Sequence, residues 1–188
     1  FGALGLNNDY LMHLAVGTSF SIIVPTSISS VLAHHRFKAV DFNIVKTYGV
    51  YAILGAILGT IFASTLKTQQ LILFFVIVTL FLGIYLIFLK DKKVESNLNF
   101  KTHYKIFFGF ISGFVSAPMG IGGAIINVPV LKFFGSSINK AIGSAAAVGF
   151  LIATTASIGF LVTGNYKEIN VPLSIGFINI PAFLIFVP

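Results

Sequence analysis

The sequence predicts an all-α, polytopic transmembrane helical bundle built from two sequence-related repeats. Of its 188 residues, 56% are hydrophobic and only 9% are charged, and the mean hydropathy is +0.98. An ordinary soluble domain has about 25% charged residues, because its surface must face water. The apolar residues form continuous runs near the length that crosses a bilayer, and they do not alternate as the strands of a barrel would.

Three apolar runs follow one another in the first repeat, residues 1–89. They cover residues 14–33, 47–66 and 71–89, and basic residues follow each run. A polar segment, residues 90–105, comes next and is the expected boundary between the repeats. The second repeat, residues 106–188, has a run at 106–134 that is interrupted at 116–123, a run at 141–163, and a last run at 171–188 that is expected to be helical.

The basic residues predict how the chain is oriented in the membrane. If every run crosses once, nine of them lie on one side: Arg36, Lys38, Lys46, Lys90, Lys92, Lys93, Lys101, Lys105 and Lys167. Lys67, Lys132 and Lys140 lie on the other. Because cytoplasmic loops carry the excess of Lys and Arg, residues 90–105 are expected in the cytoplasm. If 106–134 is a re-entrant hairpin instead, everything after it inverts.

A short motif recurs at the start of two helices and indicates an internal duplication. The two copies are Ala15-Val16-Gly17-Thr18-Ser19 and Ala141-Ile142-Gly143-Ser144-Ala145. Repeats of several helices are typical of secondary transporters. The sequence leaves open whether the repeats are parallel or inverted.

The interrupted run at 106–134 is the strongest candidate for a binding site. Pro118, Gly120, Gly122 and Gly123 break the helix, and freed backbone groups are tolerated in a membrane only beside a cavity or within protein. The helix that restarts there presents its positive end, which favours an anion. Neutral donors that could assist are Ser116 and Asn127. The alternative is a kink that serves only helix packing.

Hydroxyl side chains are concentrated in the first apolar run. Ser19, Thr26 and Ser30 share one helical face, and such hydroxyls either bind an oxyanion or bond to their own helix. The pairs Gly55-x-x-x-Gly59 and Gly109-x-x-x-Gly113 are expected to be helix contacts.

Several function classes are disfavoured because the residues that they require are missing or lie outside the apolar runs. All five acids, Asp9, Asp41, Asp91, Glu95 and Glu168, fall outside the apolar runs, and there is no cysteine. No nucleophile–base pair or metal-ligand spacing occurs within one helix, so no enzyme activity, metal or cofactor is expected. The lysines lie in connections rather than on one aromatic-rich face, which argues against nucleic-acid binding. The expected partners are the lipid bilayer and a small anion.

Taken in order, these motifs resemble the TauE/SafE family of sulfite exporters along nearly the whole chain. In the first half the similarity rests on His13 to Ser19, on Leu32 to Arg36 and on Val40-Asp41-Phe42. In the second half it rests on Gly109, Gly113, Gly120 to Gly123, Pro129, Leu131, Ala141 to Ser144, Thr163-Gly164 and Ile175 to Ala182.

The resemblance implies a duplicated helical fold and a secondary transporter that moves sulfite, a sulfonate or a related anion across the bacterial inner membrane. It also implies a first glycine-rich broken helix before residue 1 and a closing helix after residue 188. Ala124 departs from the usual third glycine of the family's run. The predicted lining residues are Gly120, Gly122, Gly123, Asn127, Pro129, Thr18, Ser19 and Ser144. A passive anion channel and a non-transporting membrane scaffold remain as alternatives.

Overall fold

The computed structural model describes residues 10–88, 101–165 and 171–187. Its elements, in chain order, are α1 (Leu11–Arg36), α2 (Phe42–Thr65), α3 (Thr68–Phe88), α4 (Thr102–Met119), α5 (Ala124–Phe133), α6 (Ile138–Asn165), β1 (Ser174–Ile175), β2 (Ile178–Asn179) and α7 (Ile180–Phe186). Within the described residues, four helices are long and apolar enough to cross a membrane: α1, α2, the first 18 residues of α3, and α6. The predicted helical membrane class is confirmed.

Glycines bring α2 and α4 into backbone contact. A Cβ on Gly109 would lie 2.8 Å from the Tyr48 carbonyl oxygen, and one on Gly113 would overlap the Ala52 carbonyl. Because both positions advance together along the two helices, α2 and α4 run parallel. Gly55 and Gly59 on α2 pack in the same way against the backbone of Phe110 and Phe114 on α4. Both Gly-x-x-x-Gly pairs are therefore confirmed as helix contacts.

Helix α6 lies parallel to α2 and antiparallel to α1. Gly49 near the start of α2 faces Leu151, and Thr60 near its end faces Gly159. Against α1, the order is reversed, since Gly17 approaches Phe160. Helices α1, α2 and α6 therefore pack side by side, and their contacts form the apolar core. The buried side chains of this core include Phe20, Phe160, Tyr48 and Ile152.

Helices α4 and α5 form a hairpin whose tip is residues 120–123, and we call this segment the tip. Ring contacts join Phe108 to Phe134, and the Ser112 hydroxyl donates to the Asn127 side chain. Positions rising along α4 thus pair with positions falling along α5, so α5 returns beside α4. Of the two alternatives that the sequence left open for 106–134, a single crossing or a hairpin, the structure has the hairpin, because the tip glycines reverse the chain direction.

The hairpin changes the distribution of basic residues. Lys132 and Lys140 now lie at the same end of the bundle as the start of α4. Within the described parts of the chain, this end carries Arg36, Lys38, Lys46, Lys101, Lys105, Lys132 and Lys140, and the opposite end carries Lys67. We call the first of these the basic end. Among the described residues, the excess of basic residues at this end is therefore larger than it would be if every apolar run crossed once. Lys90, Lys92, Lys93 and Lys167 lie outside the described residues.

The sequence predicted a helical run at 171–188. In its described part, residues 171–187, the structure has a β-hairpin followed by a short helix instead of one continuous helix. Residues 174–179 form a two-stranded antiparallel hairpin, and α7 follows it. Gly176 has φ +54°, which ends any helix there, and Asn179 caps α7 by accepting from the amide of Ala182 at 3.0 Å. Tertiary packing stabilises this arrangement, because Phe177 is fully buried against α1 and α6.

Candidate anion site at the α4–α5 tip

The tip owes its shape to two glycines with left-handed backbone. Gly120 has φ +71° and Gly123 has φ +74°, conformations that side chains other than glycine rarely adopt. The Gly120 amide closes the last turn of α4 by donating to the Ser116 carbonyl at 3.1 Å. Gly123 is the N-cap of α5 and has no side chain to accept the first amides of that helix. The positive end of α5 is therefore left uncapped by its own sequence.

Beside the tip, a cavity of about 520 Å³ opens between α1, α5 and α6. Four hydroxyl residues of α1 line it, and Ser19, Thr26 and Ser30 among them are the face that the sequence singled out. The full lining is Ser19, Ile23, Thr26, Ser27, Ser30, Gly120, Ile121, Gly122, Ala124, Ile125, Ala145, Ala146 and Gly149. None of these residues is charged. The Thr26 and Ser27 hydroxyls donate to carbonyls of their own helix and Ser19 donates to the tip, so Ser30 is the lining residue whose hydroxyl is left to donate to a ligand. We call this space the hydroxyl cavity.

Two contacts fix the tip against its neighbours. The Ser19 hydroxyl donates to the Gly120 carbonyl at 3.0 Å. On the other side, a Cβ on Gly149 would lie 2.6 Å from the Gly122 carbonyl oxygen, so α6 needs glycine there. The tip is thus held between α1 and α6 while the Ser30 hydroxyl, which makes no hydrogen bond within the described residues, remains available to a ligand.

Of the predicted lining residues, Ser19, Gly120 and Gly122 meet at the hydroxyl cavity, while Gly123 and Asn127 lie behind it. Asn127 is fully buried and accepts from the Tyr48 hydroxyl at 2.8 Å. The Asn127 amide nitrogen and the Ser116 hydroxyl have no partner within the described residues, and both face Gly123.

The remaining three predicted residues also lie away from the hydroxyl cavity. Pro129 is inside α5 and half-buried. Thr18 accepts from the backbone amide of Asn179 at 2.9 Å, and Ser144 accepts from that of Asp41 at 2.9 Å. Both hydroxyls therefore bind the N-cap residue of another helix.

Sequence reasoning missed the α6 wall of the cavity. Ala145 and Gly149 are spaced by four residues, a spacing that places them on one helical face. Small residues at this interval were a usable signal, because they permit close approach of a neighbouring backbone.

Because the Ser144 hydroxyl accepts from the partly buried amide of Asp41, Ser144→Ala is expected to reduce stability without changing substrate affinity. An amide left without its partner costs about 1–3 kcal/mol, which lowers Tm by roughly 5 °C in a chain of this size. Thermal unfolding in detergent measures the first effect and the KM for transport the second. Ser157→Ala on the same helix is the control, since Ser157 is only half-buried. A raised KM with unchanged Tm would place Ser144 at the substrate instead.

The bundle of long apolar helices defines a class of protein, the polytopic membrane proteins, and a broken segment beside a cavity is a feature that many secondary transporters of this class share. The family described as sulfite exporter TauE/SafE matches residues 2–188, and the chain belongs to this family.

Curated relatives carry names of the same class. The chain is 28% identical over 174 residues to a probable membrane transporter protein of Haemophilus influenzae. The matched part covers 93% of the chain and 66% of that protein. It is 25% identical over 179 residues to the probable membrane transporter protein YunE of Bacillus subtilis, covering 85% of the chain and 66% of the relative. A probable membrane transporter protein of Methanocaldococcus jannaschii is 29% identical over 180 residues, covering 93% and 64%. The chain thus spans about two thirds of these relatives, and no solved structure matches it.

Proposed function

We propose that the parent protein is a secondary transporter, not an enzyme, and that it carries a small anion such as sulfite or a sulfonate through the hydroxyl cavity. The observation that carries the proposal is the meeting of the uncapped N-terminus of α5 with four hydroxyl side chains of α1 at one cavity. A helix N-terminus has a partial charge of about +0.5, and its effect is larger where water is excluded.

Hydroxyl donors suit an anion that must bind and leave again. Hydrogen bonds to a charged group contribute about 1.5–3 kcal/mol each, and they replace part of the hydration shell without the permanent charge of a lysine. The Ser30 hydroxyl donates directly, whereas Ser19, Thr26 and Ser27 must first rotate away from the backbone carbonyls to which they donate. The family description names a sulfite exporter, which supports sulfite as the first substrate to test.

The basic end supports an orientation with that end in the cytoplasm, and the bacterial inner membrane as the location. The hydroxyl cavity runs from Ser19 towards Ser30, and Ser30 lies six residues before the end of α1. At 1.5 Å per residue this is about 9 Å from the basic end, whereas Ser19 lies about 26 Å from it. The cavity therefore extends from the interior of the bilayer towards the cytoplasmic face.

The test is flux of labelled sulfite into proteoliposomes that contain the full-length parent protein, with sulfonates and carboxylates as a substrate panel. Saturable flux with countertransport is expected for a carrier. Non-saturating conductance would make the protein a channel, and a lack of flux for the whole panel would contradict transport and favour the scaffold.

Loss of one cavity hydroxyl should weaken substrate binding. Ser30→Ala is expected to raise KM by on the order of tenfold, since it removes one hydrogen bond to a charged substrate. The matched control is Ser29→Ala, because Ser29 is exposed, bonds to its own helix through the Pro25 carbonyl, and does not line the cavity. Equal KM values for the two variants would remove Ser30 from the site.

A further inference from the structure

A groove of about 220 Å³ lies between α2 and α4 at the basic end of the bundle. Its walls are Lys46, Thr47, Val50 and Tyr51 of α2, and Thr102 and Lys105 of α4. Because α2 and α4 are parallel and both begin at the basic end, the groove lies near the membrane surface rather than at the middle of the bilayer. We call it the α2–α4 groove.

Positive charge and hydroxyl donors meet in this groove. Lys46 is exposed on the α2 wall, and Lys105 adds a second positive charge on the α4 wall. The hydroxyls of Tyr51 and Thr102 make no hydrogen bond within the described residues, so both are left to donate to a ligand. An ammonium and two hydroxyls are the donors that hold phosphate oxygens through charge-assisted hydrogen bonds.

The acid closest in sequence to the groove is engaged by its own helix. Asp41 is the only acid in the described ranges, and it is the N-cap of α2. Its carboxylate accepts from the amides of Asn43 and Ile44 at 3.0 and 3.3 Å, and it does not line the groove. An anionic group is therefore the ligand whose charge complements the groove walls.

A strip of exposed apolar side chains continues from the groove along the same face of α2. At intervals of three or four residues after Lys46, the spacing of one helical face, come Val50, Leu54, Ile57 and Ile61. Their exposed fractions lie between 42% and 53%. From Val50 to Ile61 the strip is about 16 Å long, and one leaflet of the hydrocarbon core is about 15 Å thick. The strip therefore has the length of one leaflet's acyl chain.

We propose that the α2–α4 groove binds the headgroup of an anionic phospholipid, such as phosphatidylglycerol, from the leaflet at the basic end. The lysines and hydroxyls hold the phosphate, and an acyl chain lies along the apolar strip of α2. The strip favours a lipid over a soluble phosphate, which would leave these side chains uncovered. A zwitterionic headgroup fits less well, because the two lysines repel its cation. The groove shares no lining residue with the hydroxyl cavity, so the proposal does not depend on anion transport.

Thermal unfolding of the full-length protein in a neutral detergent, titrated with phosphatidylglycerol, tests the site. We expect a saturable rise in Tm, because a ligand that binds only the folded state stabilises it. Lys46→Gln should raise the lipid concentration that gives half of this rise by about fivefold, the effect of one lysine near an anionic lipid. Lys46→Arg keeps the charge and should respond as the unchanged protein does. Because Lys46 is exposed, all variants should have the same Tm without lipid.

Lys140→Gln is the matched control, because Lys140 is also exposed at the basic end but does not line the groove. An equal loss of affinity in both glutamine variants would show a diffuse attraction to the basic end and would overturn the proposal. So would an equal rise in Tm with phosphatidylcholine or with soluble glycerol phosphate, or no rise with phosphatidylglycerol. The readout requires no transport, so an absence of anion flux would contradict the proposed function and leave this result standing.

Discussion

Gly113→Val is expected to prevent the chain from accumulating as a folded protein. A side chain at this position would meet the Ala52 carbonyl and the Ala56 amide, which belong to the backbone of α2 and cannot rotate away. The two helices would have to separate along their whole contact. Overpacking in cores typically costs about 1–3 kcal/mol, and forced separation of two backbones lies at or above the upper limit. Thermal unfolding of the purified protein, together with its yield in the membrane, measures the effect.

The matched control for this prediction is Gly83→Val. Gly83 lies on α3, and a Cβ there would have no heavy atom within 4 Å. Both variants add the same β-branched residue to a membrane helix, so their difference isolates the α2–α4 contact. Equal Tm values for the two variants would show that α2 and α4 are not packed through their glycines.

Gly122→Leu is expected to reduce anion flux by on the order of tenfold or more, which corresponds to about 1.4 kcal/mol per factor of ten. The backbone of Gly122 is compatible with a side chain, and a Cβ would reach the Ile23 side chain at an ordinary distance of 3.4 Å. The fold is therefore expected to survive, while the larger side chain fills space at the tip. Flux in proteoliposomes and Tm in detergent are measured on the same preparation.

Substitution of neighbouring Gly123 by leucine is expected to affect stability as well as flux, in contrast to Gly122→Leu. Gly123 has φ +74°, and a Cβ would lie 2.9 Å from Ile152 and 3.0 Å from the Asn127 amide nitrogen. Gly123→Leu should therefore lower Tm as well as flux, whereas Gly122→Leu should lower flux alone. Full transport by folded Gly122→Leu protein would remove the tip from the substrate route.

Local chemistry made part of the site predictable from sequence. The helix break at the tip follows from Pro118 and the glycines around it, because these residues disfavour continuous helix wherever they occur. The hydroxyl face of α1 follows from helical spacing. The roles of Thr18 and Ser144 did not follow, since a hydroxyl that binds a ligand and one that binds a distant helix cap look the same in sequence. Their partners lie 161 and 103 positions away.

By itself, the sequence determined that this protein is a bundle of membrane helices, where most of them lie, and where one of them breaks. Those properties depend on composition and on neighbours within a few residues, because the bilayer length and the backbone preferences of glycine and proline act locally. Only the tertiary structure decided that α5 turns back beside α4, that most basic residues of the described ranges lie at one end, and that residues 174–179 form a β-hairpin. Each of these depends on contacts between distant residues, such as Asn127 with Tyr48 and Phe177 with Phe160, whose packing overrides the continuous apolar pattern.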